Sequence, residues 1–548
     1  MPENIFQEET EMKKTLALLL AIATMLALLF AYPLATSADE TPQVWDGTAN
    51  IKWYFDGKSK SEYHIGTAQD FAGLAYMVGA GNKTAVYNGV YYDAEYNVLG
   101  FRTSGKEAEY VDSTLVYTPT EGDGSSVTDG SSFQWEMFYL ESDIVLNTGN
   151  AADWETTPPA NVWLPIGGAR HINATSSGFN GIFDGQGHTV SGAYYVGGEE
   201  SFAVSLFGYA GKAGNTQFKN LTVENCYFKG QYSIGGIVGR SNKPIEMVNC
   251  YVKNCVMVST EQQSAGLIAA VFNGAATISK CGVENVTLKG RDYVGGFVGT
   301  LVGVGLTITD SYVTGTATAT PAIEIVPGTD GQPDTEKRYG GDEVGLIVGR
   351  AAGGNINISN VFVNLKVEQL GLQDDIPDSS DRVAAAGVIY AGHGTANTPA
   401  LNVENFFYVD DFTAEHVIGK DIETATAVTV EQLTGEAAKT VLPTFDFDNI
   451  WQVNAAGLPT LRAEAIMEAL NNADDPGDDP IDIVDPGENT TTKKPETTTA
   501  APVTDEPTTE PTGKTKKGCG SVLVGMPVIG IIALAGTVLA VKKKKEEI

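Results

Sequence analysis

Three observations predict an all-β fold, a parallel β-helix, over residues 138–470. One phrase recurs along the chain, as SIGGIVG (233–239), YVGGFVG (293–299) and EVGLIVG (343–349). A strand-like phrase such as MVNCYV (247–252) recurs with it, and the equivalent positions are Leu221, Cys250, Cys281, Ser311, Val361 and Phe406. Apolar residues alternate within each unit with a period of two, which is typical of strands. Because one such unit cannot bury its apolar face alone, a period of about 30 residues predicts a solenoid of stacked units.

Polar residues and glycines recur at fixed positions between the short strands. One corner column is formed by Asn220, Asn249, Lys280, Asp310, Asn360 and Asn405, and a second, five residues later, by Asn225, Asn254, Asn285 and Gly315. A glycine column is formed by Gly235, Gly266, Gly295, Gly345 and Gly387. Asn, Asp and Gly tolerate positive φ, and glycine in a strand pattern marks a bend or a close backbone approach. The alternative is a β-sandwich of irregular hairpins, but the repeats contain few of the Asn-Gly and Asp-Gly turns that hairpins favour.

The repeats resemble the GLUG-motif family of bacterial cell-surface proteins, with SIGGIVG, YVGGFVG and DSYVTG (310–315) as the matching phrases. The resemblance implies a right-handed β-helix and implies no catalytic residue. Two flanking segments carry it further: a Trp-Asp-Gly element (45–47) followed by TAQDFAGLA (67–75), and a terminal Trp451 followed by GLPTLR (457–462). The terminal element is expected to end the last coil.

Residues 39–81 are predicted to form an N-terminal cap containing a helix. Thr67 with Asp70 three residues later suggests a helix N-cap. Phe71, Leu74, Ala75 and Val78 share one helical face, which is typical of an amphipathic helix. Such a helix can cover the open first edge of a solenoid.

A tyrosine-rich insertion, residues 82–137, interrupts the pattern after the cap. Its candidate binding residues are Tyr91, Tyr92, Tyr96 and Trp135, because exposed aromatic side chains stack on sugar rings or anchor protein interfaces. Packing of these aromatics within a small satellite sheet is the alternative.

The two longest repeat spacings locate two more insertions, at about 318–342 and 368–383, which we expect to leave the solenoid on one side in adjacent coils. Insertions of this kind often build a binding face. The candidate residues here are Asp330, Asp334, Asp374, Asp375 and Asp378. Their carboxylates are suitable Ca²⁺ ligands, but no spacing matches a Ca²⁺-binding loop, and solvated loop charge is the alternative. No other cofactor or metal is expected.

The ends of the chain predict a membrane-anchored protein on the outer face of a cell. Residues 1–38 read as a secretory signal peptide, with Met12 as a candidate true start and a retained membrane helix as the alternative. Residues 471–517 are an acidic, then Thr/Pro-rich tract that predicts a disordered stalk. Residues 518–541 are apolar and long enough to span a membrane, and the lysine-rich tail, 542–548, favours a cytoplasmic C-terminus. The tail resembles anchors of Gram-positive gut bacteria but lacks a sortase motif.

The cysteines fall into repeat columns, Cys250 with Cys281 and Cys226 with Cys255. Neighbouring parallel strands hold Cβ atoms slightly too far apart for a disulfide, which favours a buried cysteine ladder over bridges. The phrase FNGIFDGQGHTVSG (179–192) is similar to early coils of pectin-degrading β-helix enzymes. That resemblance implies an architectural role for Asp184, in shaping a turn, rather than catalysis.

These observations predict a non-enzymatic, adhesin-like protein that binds a host or environmental glycan or an extracellular protein. A formal net charge of −33 argues against nucleic acid as a partner. The repeats contain no nucleophile elbow or phosphate loop, and few basic residues that could stabilise a uronate carbanion. A polysaccharide lyase or glycosidase on the same scaffold is the first alternative, and a structural envelope component is the second.

Overall fold

In the computed structural model, the described residues are 43–78, 87–103, 106–107, 125–127, 133–168, 178–198, 201–211, 216–320, 322–326, 335–339, 343–369, 385–393, 398–412, 417–418, 421–455 and 457–474. They all lie in the first of two compact units, Met1–Asp478. The predicted signal peptide, the membrane anchor, the cytoplasmic tail and the stalk beyond residue 474 lie outside the described residues.

The N-terminal region combines two helices with short strands. Its elements are α1 (Lys52–Gly57), β1 (Glu62–Ile65), α2 (Ala68–Val78), β2 (Tyr87–Tyr92), β3 (Val98–Thr103), β4 (Lys106–Glu107), β5 (Ser125–Val127), β6 (Met137–Leu140), β7 (Ile144–Val145) and a 3₁₀ helix (Ala151–Asp153). Strands β2 to β5 form an antiparallel sheet in the order β4-β3-β2-β5, so the tyrosine-rich insertion includes a small satellite sheet.

The repeat region consists of short strands. They are β8 (Ile182–Asp184), β9 (Thr189–Ser191), β10 (Tyr194–Val196), β11 (Ala203–Val204), β12 (Phe207–Ala210), β13 (Thr216–Lys219), β14 (Thr222–Glu224), β15 (Tyr227–Gly230), β16 (Ser233–Gly235), β17 (Val238–Ser241), β18 (Ile245–Val248), β19 (Tyr251–Lys253), β20 (Val256–Ser259), β21 (Gln263–Ala265), β22 (Ile268–Phe272), β23 (Ala276–Ser279), β24 (Gly282–Gly290), β25 (Tyr293–Gly295), β26 (Val298–Val302) and β27 (Leu306–Ala319). The later strands are β28 (Ala322–Val326), β29 (Thr335–Tyr339), β30 (Glu343–Gly345), β31 (Val348–Ala352), β32 (Asn355–Gln369), β33 (Ala385–Gly387), β34 (Tyr390–His393), β35 (Ala400–Val409), β36 (Val417–Ile418) and β37 (Ala425–Val428).

Within the described residues these strands, except β28 and β29, build three parallel sheets of 18, 7 and 6 strands, and the largest sheet also includes β1, β6 and β7. The chain passes through them in a fixed order, as β13, β14 and β15 lie in the largest sheet, β16 in the seven-stranded sheet and β17 in the six-stranded sheet. The next unit, β18 to β22, repeats this order and pairs with the previous one in parallel. The protein is therefore mostly β, with large parallel sheets compatible with the predicted parallel β-helix.

Both corner columns adopt the left-handed conformation. The first column, Asn220, Asn249, Lys280, Asp310, Asn360 and Asn405, has φ values of 51°, 54°, 53°, 46°, 54° and 53°. The second, Asn225, Asn254, Asn285 and Gly315, has 51°, 54°, 51° and 137°. Asparagine reaches this conformation at a lower cost than most residues, which explains why it recurs where the chain turns between strands of the large sheet.

The glycine column needs one correction, because Gly266 does not belong to it. Gly235 pairs with Ala265, and Ala265 pairs with Gly295, which continues to Gly345 and Gly387. Gly266 lies one position later, and a Cβ there would come within 2.3 Å of the Gly296 carbonyl oxygen. The paired glycines of the repeat made the sequence alignment ambiguous by one residue, and the hydrogen-bond register resolves it.

The core lies between the three sheets and is built from repeated inward positions. One such column runs Phe218, Met247, Ile278, Ile308, Ile358 and Val403 in register, and all six residues are buried. The four cysteines of the repeats, Cys226, Cys250, Cys255 and Cys281, are buried and free, as the ladder prediction expected. Helix α2 covers the start of this core, since Phe71 stacks on Trp163 at 5.0 Å.

The C-terminal segment does not form a last coil, contrary to the expectation for Trp451 and GLPTLR. Its elements are α3 (Glu436–Val441), β38 (Trp451–Val453), β39 (Pro459–Leu461) and α4 (Ala463–Asp474), and β38 pairs with β39 in a separate antiparallel hairpin. Trp451 packs instead on an aromatic column on the outside of the large sheet, with ring centroids 6.2 Å from Tyr312 and 5.8 Å from Phe362. The physical reason is that this outward column is apolar and would otherwise be exposed.

The insertion predicted at about 318–342 contains the antiparallel hairpin β28–β29, between β27 and β30. The insertion predicted at about 368–383 falls between β32 and β33, in the next unit, so both depart from the same point of the repeat. Among the described residues, no helix is long and apolar enough to cross a membrane.

Candidate functional site

A cleft of about 360 Å³ opens beside the N-terminal cap, between α1, β1 and the start of α2. Its charged lining residues are Lys52, Asp56, Lys60, Glu62, His64, Asp70 and Glu141. Strand β1 alternates exposed and buried residues, so that Tyr63 and Ile65 enter the core while Glu62 and His64 face outward. The cleft therefore presents both carboxylates and amines to solvent.

Parallel pairing of β1 with β6 brings His64 and Glu141 together, although 77 residues separate them in sequence. The Nδ1 atom of His64 contacts a carboxylate oxygen of Glu141, and the imidazole stacks on the Tyr139 ring at 5.4 Å. The two side chains are 58% and 50% exposed. This pair is held in place on one side and open to a ligand on the other.

Asp70 lies at the rim of the cleft, where its side chain takes part in the hydrogen bonds that cap the N-terminus of helix α2. The Thr67 hydroxyl donates to Asp70 Oδ2 at 2.8 Å and accepts from the Asp70 backbone N–H at 3.1 Å. Burial raises the pKa of the Asp70 carboxyl, although its hydrogen bonds with Thr67 and Gly66 oppose that shift. The Asp70 side chain therefore stabilises the N-terminus of α2, and this explains its position.

Asn50 connects the cleft to the tyrosine-rich insertion. Its amide Nδ2 donates to the Glu95 carbonyl at 3.0 Å and to Asn97 Oδ1 at 3.1 Å, while its Oδ1 accepts from the Lys52 backbone N–H at 2.8 Å. The turn between β2 and β3 is therefore fastened to the wall of the cleft, next to the start of α1.

The four predicted aromatic binding residues have different environments. Tyr96, with φ of 64°, packs against Phe55 with ring centroids 5.0 Å apart, so it is part of the packing that joins the insertion to α1. Trp135 is 63% exposed and precedes β6 by two residues. Tyr91 and Tyr92 lie in β2, which pairs with β3 and β5. Of the two predicted aromatic side chains whose surroundings the structure describes, Tyr96 is packed and Trp135 is presented to solvent.

The predicted acidic residues of the later insertions, Asp330, Asp334, Asp374, Asp375 and Asp378, lie outside the described residues. In the part of the chain that the structure does describe, no group of three or more His, Cys, Asp or Glu side chains could hold a metal ion.

A second cleft, of about 500 Å³, lies where the C-terminal segment meets the large sheet. Its walls include Tyr251 and Tyr312, whose hydroxyls donate to Asn249 Oδ1 and Glu284 at 2.9 Å each. Arg462 at its edge donates to the Trp451 and Phe447 carbonyls. This cleft lies along the packing seam between the C-terminal segment and the large sheet, and fewer charged side chains line it than line the first cleft, which is our preferred site.

Polar residues at equivalent positions of successive repeats form hydrogen bonds with one another across the large sheet. Asn249 donates to Asn220 at 2.8 Å, Asn220 donates to Asp184 at 3.0 Å, and Asp184 also accepts from the Gln186 backbone N–H. Asp184 is therefore a turn residue, in agreement with its expected architectural role. Further along, Asn360 donates to Asp310 and Asn405 donates to Asn360.

The sequence did not predict the first cleft, the one beside the N-terminal cap, which we call the cap cleft. Glu62, His64 and Glu141 stand in no recognisable motif, because they come together through the pairing of EYHI (62–65) with MFYL (137–140), which no local pattern indicates. These two segments are successive strands of one sheet.

No family profile matches the chain, and no curated protein matches it. Among solved structures, it is similar to a chain described as a putative immunoglobulin A1 protease from Bacteroides ovatus. The two share 18% sequence identity with a TM-score of 0.37, over 60% of this chain and 86% of the other. A similarity of this size does not bear on the activity of the present chain.

Proposed function

We propose that this chain is an adhesin-like protein of the bacterial cell surface, a right-handed parallel β-helix of GLUG-like repeats that binds an environmental or host glycan. The observation that carries the proposal is the cap cleft, where half-exposed groups of both charges face solvent beside a tyrosine-rich insertion. Signal peptide, stalk, transmembrane anchor and cytoplasmic tail would display this region outward from a Gram-positive membrane.

The chemistry of the cleft suits a hydroxyl-rich ligand. Carboxylates accept and amines donate hydrogen bonds, so Glu62 and Lys60 offer both functions to sugar hydroxyls. A volume of about 360 Å³ is at the lower end of the range of small-molecule sites. Trp135 is largely exposed and stands two residues before Met137, the register partner of Glu62, so it would add a flat surface for stacking.

An extracellular protein is the other partner class that Trp135 favours, since exposed tryptophans often anchor protein interfaces. A glycosidase at this cleft is less well supported. A glycosidase needs two carboxyl groups free to act on the substrate, whereas Asp70 is hydrogen-bonded to Thr67 and Glu141 contacts His64.

The test is a glycan and extracellular-matrix array probed with the full-length chain in detergent, alongside polysaccharide digestion assays. We expect binding that Glu62→Gln weakens by about fivefold to tenfold, as expected when a charged hydrogen-bond partner is lost. Glu436→Gln, an exposed position on α3, is the matched control and should bind like the unmodified chain. Cleavage of any polymer would favour the enzyme, and no binding in either assay would favour a structural envelope component.

A further inference from the structure

A second surface lies on the outside of the six-stranded sheet, where two arginines occupy one column. Arg240 pairs with Ala270, Ala270 with Thr300, and Thr300 with Arg350. Three interstrand steps separate the arginines, or about 14 Å along the solenoid. Both side chains are half-buried, and the positions between them carry small residues.

Arg240 lies between two aromatic rings. Its guanidinium is 4.2 Å from the centroid of Phe272 and 5.0 Å from that of Phe202, and its Nε donates to Asn242 Oδ1 at 3.3 Å. Arg350 has one aromatic neighbour, since its guanidinium lies 5.0 Å from the centroid of the Tyr293 ring and donates to the Tyr293 hydroxyl at 3.1 Å. These contacts hold both guanidinium groups in place while using one N–H donor of each.

Within the described part of the chain, neither arginine forms an ion pair with a carboxylate. Arg291, which stands two residues before β25, shows the contrast, because it contacts both Glu261 and Asp292. In a chain of net charge −33, carboxylates are abundant, yet these two cations are held by aromatic and neutral partners. An arginine that forms no ion pair within the protein is available to an external anion, which its guanidinium can bind with two parallel hydrogen bonds.

We infer that this surface, formed by Arg240, Phe272, Val302, Tyr293 and Arg350, binds an anionic glycan lying along the stacked repeats. Each guanidinium would bind an acidic group of the polymer. Phe272 and the 36% exposed Val302, which are neighbours in register, would contact the apolar faces of the sugar rings between those groups. This site is separate from the cap cleft and differs from it in its ligand chemistry.

A linear glycan fits this surface better than an acidic peptide. Peptides commonly bind sheets by adding a strand to a free edge, but β22 and β26 are paired on both sides within their sheet. Recognition must therefore come from side chains alone, and two anion-binding groups joined by a flat, partly apolar strip match a polymer of charged rings.

The experiment measures binding of oligogalacturonate to the full-length chain in detergent, with its methyl-esterified form as a probe of the same rings without charge. Dextran sulfate against dextran distinguishes a sulfate from a carboxylate, and polyglutamate represents an acidic peptide. We expect oligogalacturonate or dextran sulfate to bind, and their uncharged forms to bind at least about tenfold more weakly. The double variant that combines Arg240→Gln with Arg350→Gln should lose this preference for charged sugars.

Lys439→Gln, which removes one positive charge at an exposed site, and Glu141→Gln in the cap cleft should both keep the preference. Arg350→Gln alone should weaken binding in part, and it retains the buried packing of Arg240 if the double variant does not fold. Three outcomes would overturn the inference. The chain could bind charged and uncharged sugars with equal affinity, or the folded arginine variants could keep the preference for charged sugars. Polyglutamate could also bind as tightly as the glycans through the same arginines.

Discussion

Lys280 is a position where a single substitution should stabilise the stacked repeats of the large sheet. It lies in the first corner column, between Asn249 and Asp310, with φ of 53°. The hydrogen-bonded chain of corner side chains runs from Asn249 to Asn220 on one side of it, and from Asn360 to Asp310 on the other. We predict that Lys280→Asn adds one hydrogen bond to this chain, from the new amide to Asn249, and relieves backbone strain.

The expected gain follows from three contributions. A left-handed conformation costs most residues about 1–2 kcal/mol, and asparagine bears less of this cost. The introduced amide can donate to Asn249 Oδ1, which accepts one bond from Tyr251 and has a second lone pair, for about 1 kcal/mol. Against these stands the lost attraction between Lys280 and Asp310, about 1 kcal/mol or less for a pair that is half accessible to water. The net expectation is about 1–2 kcal/mol of added stability.

Native-state hydrogen exchange is the suitable assay, because solenoid coils open locally and a global melting temperature averages over them. Protection of the amides of Cys281 and Gly282 should rise by a factor of about 5–30. Lys289→Asn, a lysine-to-asparagine change on strand β24 where φ is not left-handed, should give no gain. Lower protection in Lys280→Asn, or an equal gain in Lys289→Asn, would refute the reasoning.

Two further predictions concern the glycine column and the cap. Gly295→Ala should destabilise the fold by about 2–3 kcal/mol in thermal denaturation, because the added Cβ would lie 1.9 Å from the Val298 carbonyl oxygen. At Gly305 the nearest atom to an added Cβ is 3.8 Å away, so the control Gly305→Ala should change stability by less than about 0.5 kcal/mol. Equal effects of the two substitutions would contradict the close-approach argument. Burial raises the folded-state pKa of Asp70, so its contribution to stability is full below the unfolded-state pKa and is lost as pH rises through the folded-state pKa. Protection of α2 amides, corrected for intrinsic exchange, should therefore increase from neutral to mildly acidic pH, and a profile that Asp70→Asn leaves unchanged would show that another group is responsible.

Features that depend on one residue and its neighbours in sequence were predictable. The corner columns are an example, because few residues other than Asn, Asp and Gly adopt positive φ readily, so their recurrence marks the turns directly. The same reasoning predicted the cap of α2 from Thr67 and Asp70, whose side chains and backbone are hydrogen-bonded.

Features that depend on register or distant pairing were not predictable in this way. Gly266 was misplaced by one residue because two adjacent glycines satisfy the pattern equally well, and only the pairing of Gly235 with Ala265 decides between them. Trp451 matched a terminal element of the repeats, but its location depends on the aromatic column that Tyr312 and Phe362 present on the outside of the sheet.

The candidate site illustrates the same limit. His64 and Glu141 meet because β1 pairs with β6 across the whole tyrosine-rich insertion, and nothing local to either residue indicates the other. Arg240 and Arg350 belong to one column for a similar reason, since that column is defined by hydrogen bonds between units.

The hairpin β28–β29 has a consequence for how such a chain can change over time. Thr300 and Arg350 are fifty residues apart in sequence, whereas Ala270 and Thr300 are thirty apart, yet both pairs are direct neighbours in the same sheet. Extra length at this turn therefore leaves the stacking of the coils untouched. The turn between the large and seven-stranded sheets is a place where new segments can be acquired, exchanged or deliberately grafted while the scaffold that carries them stays the same.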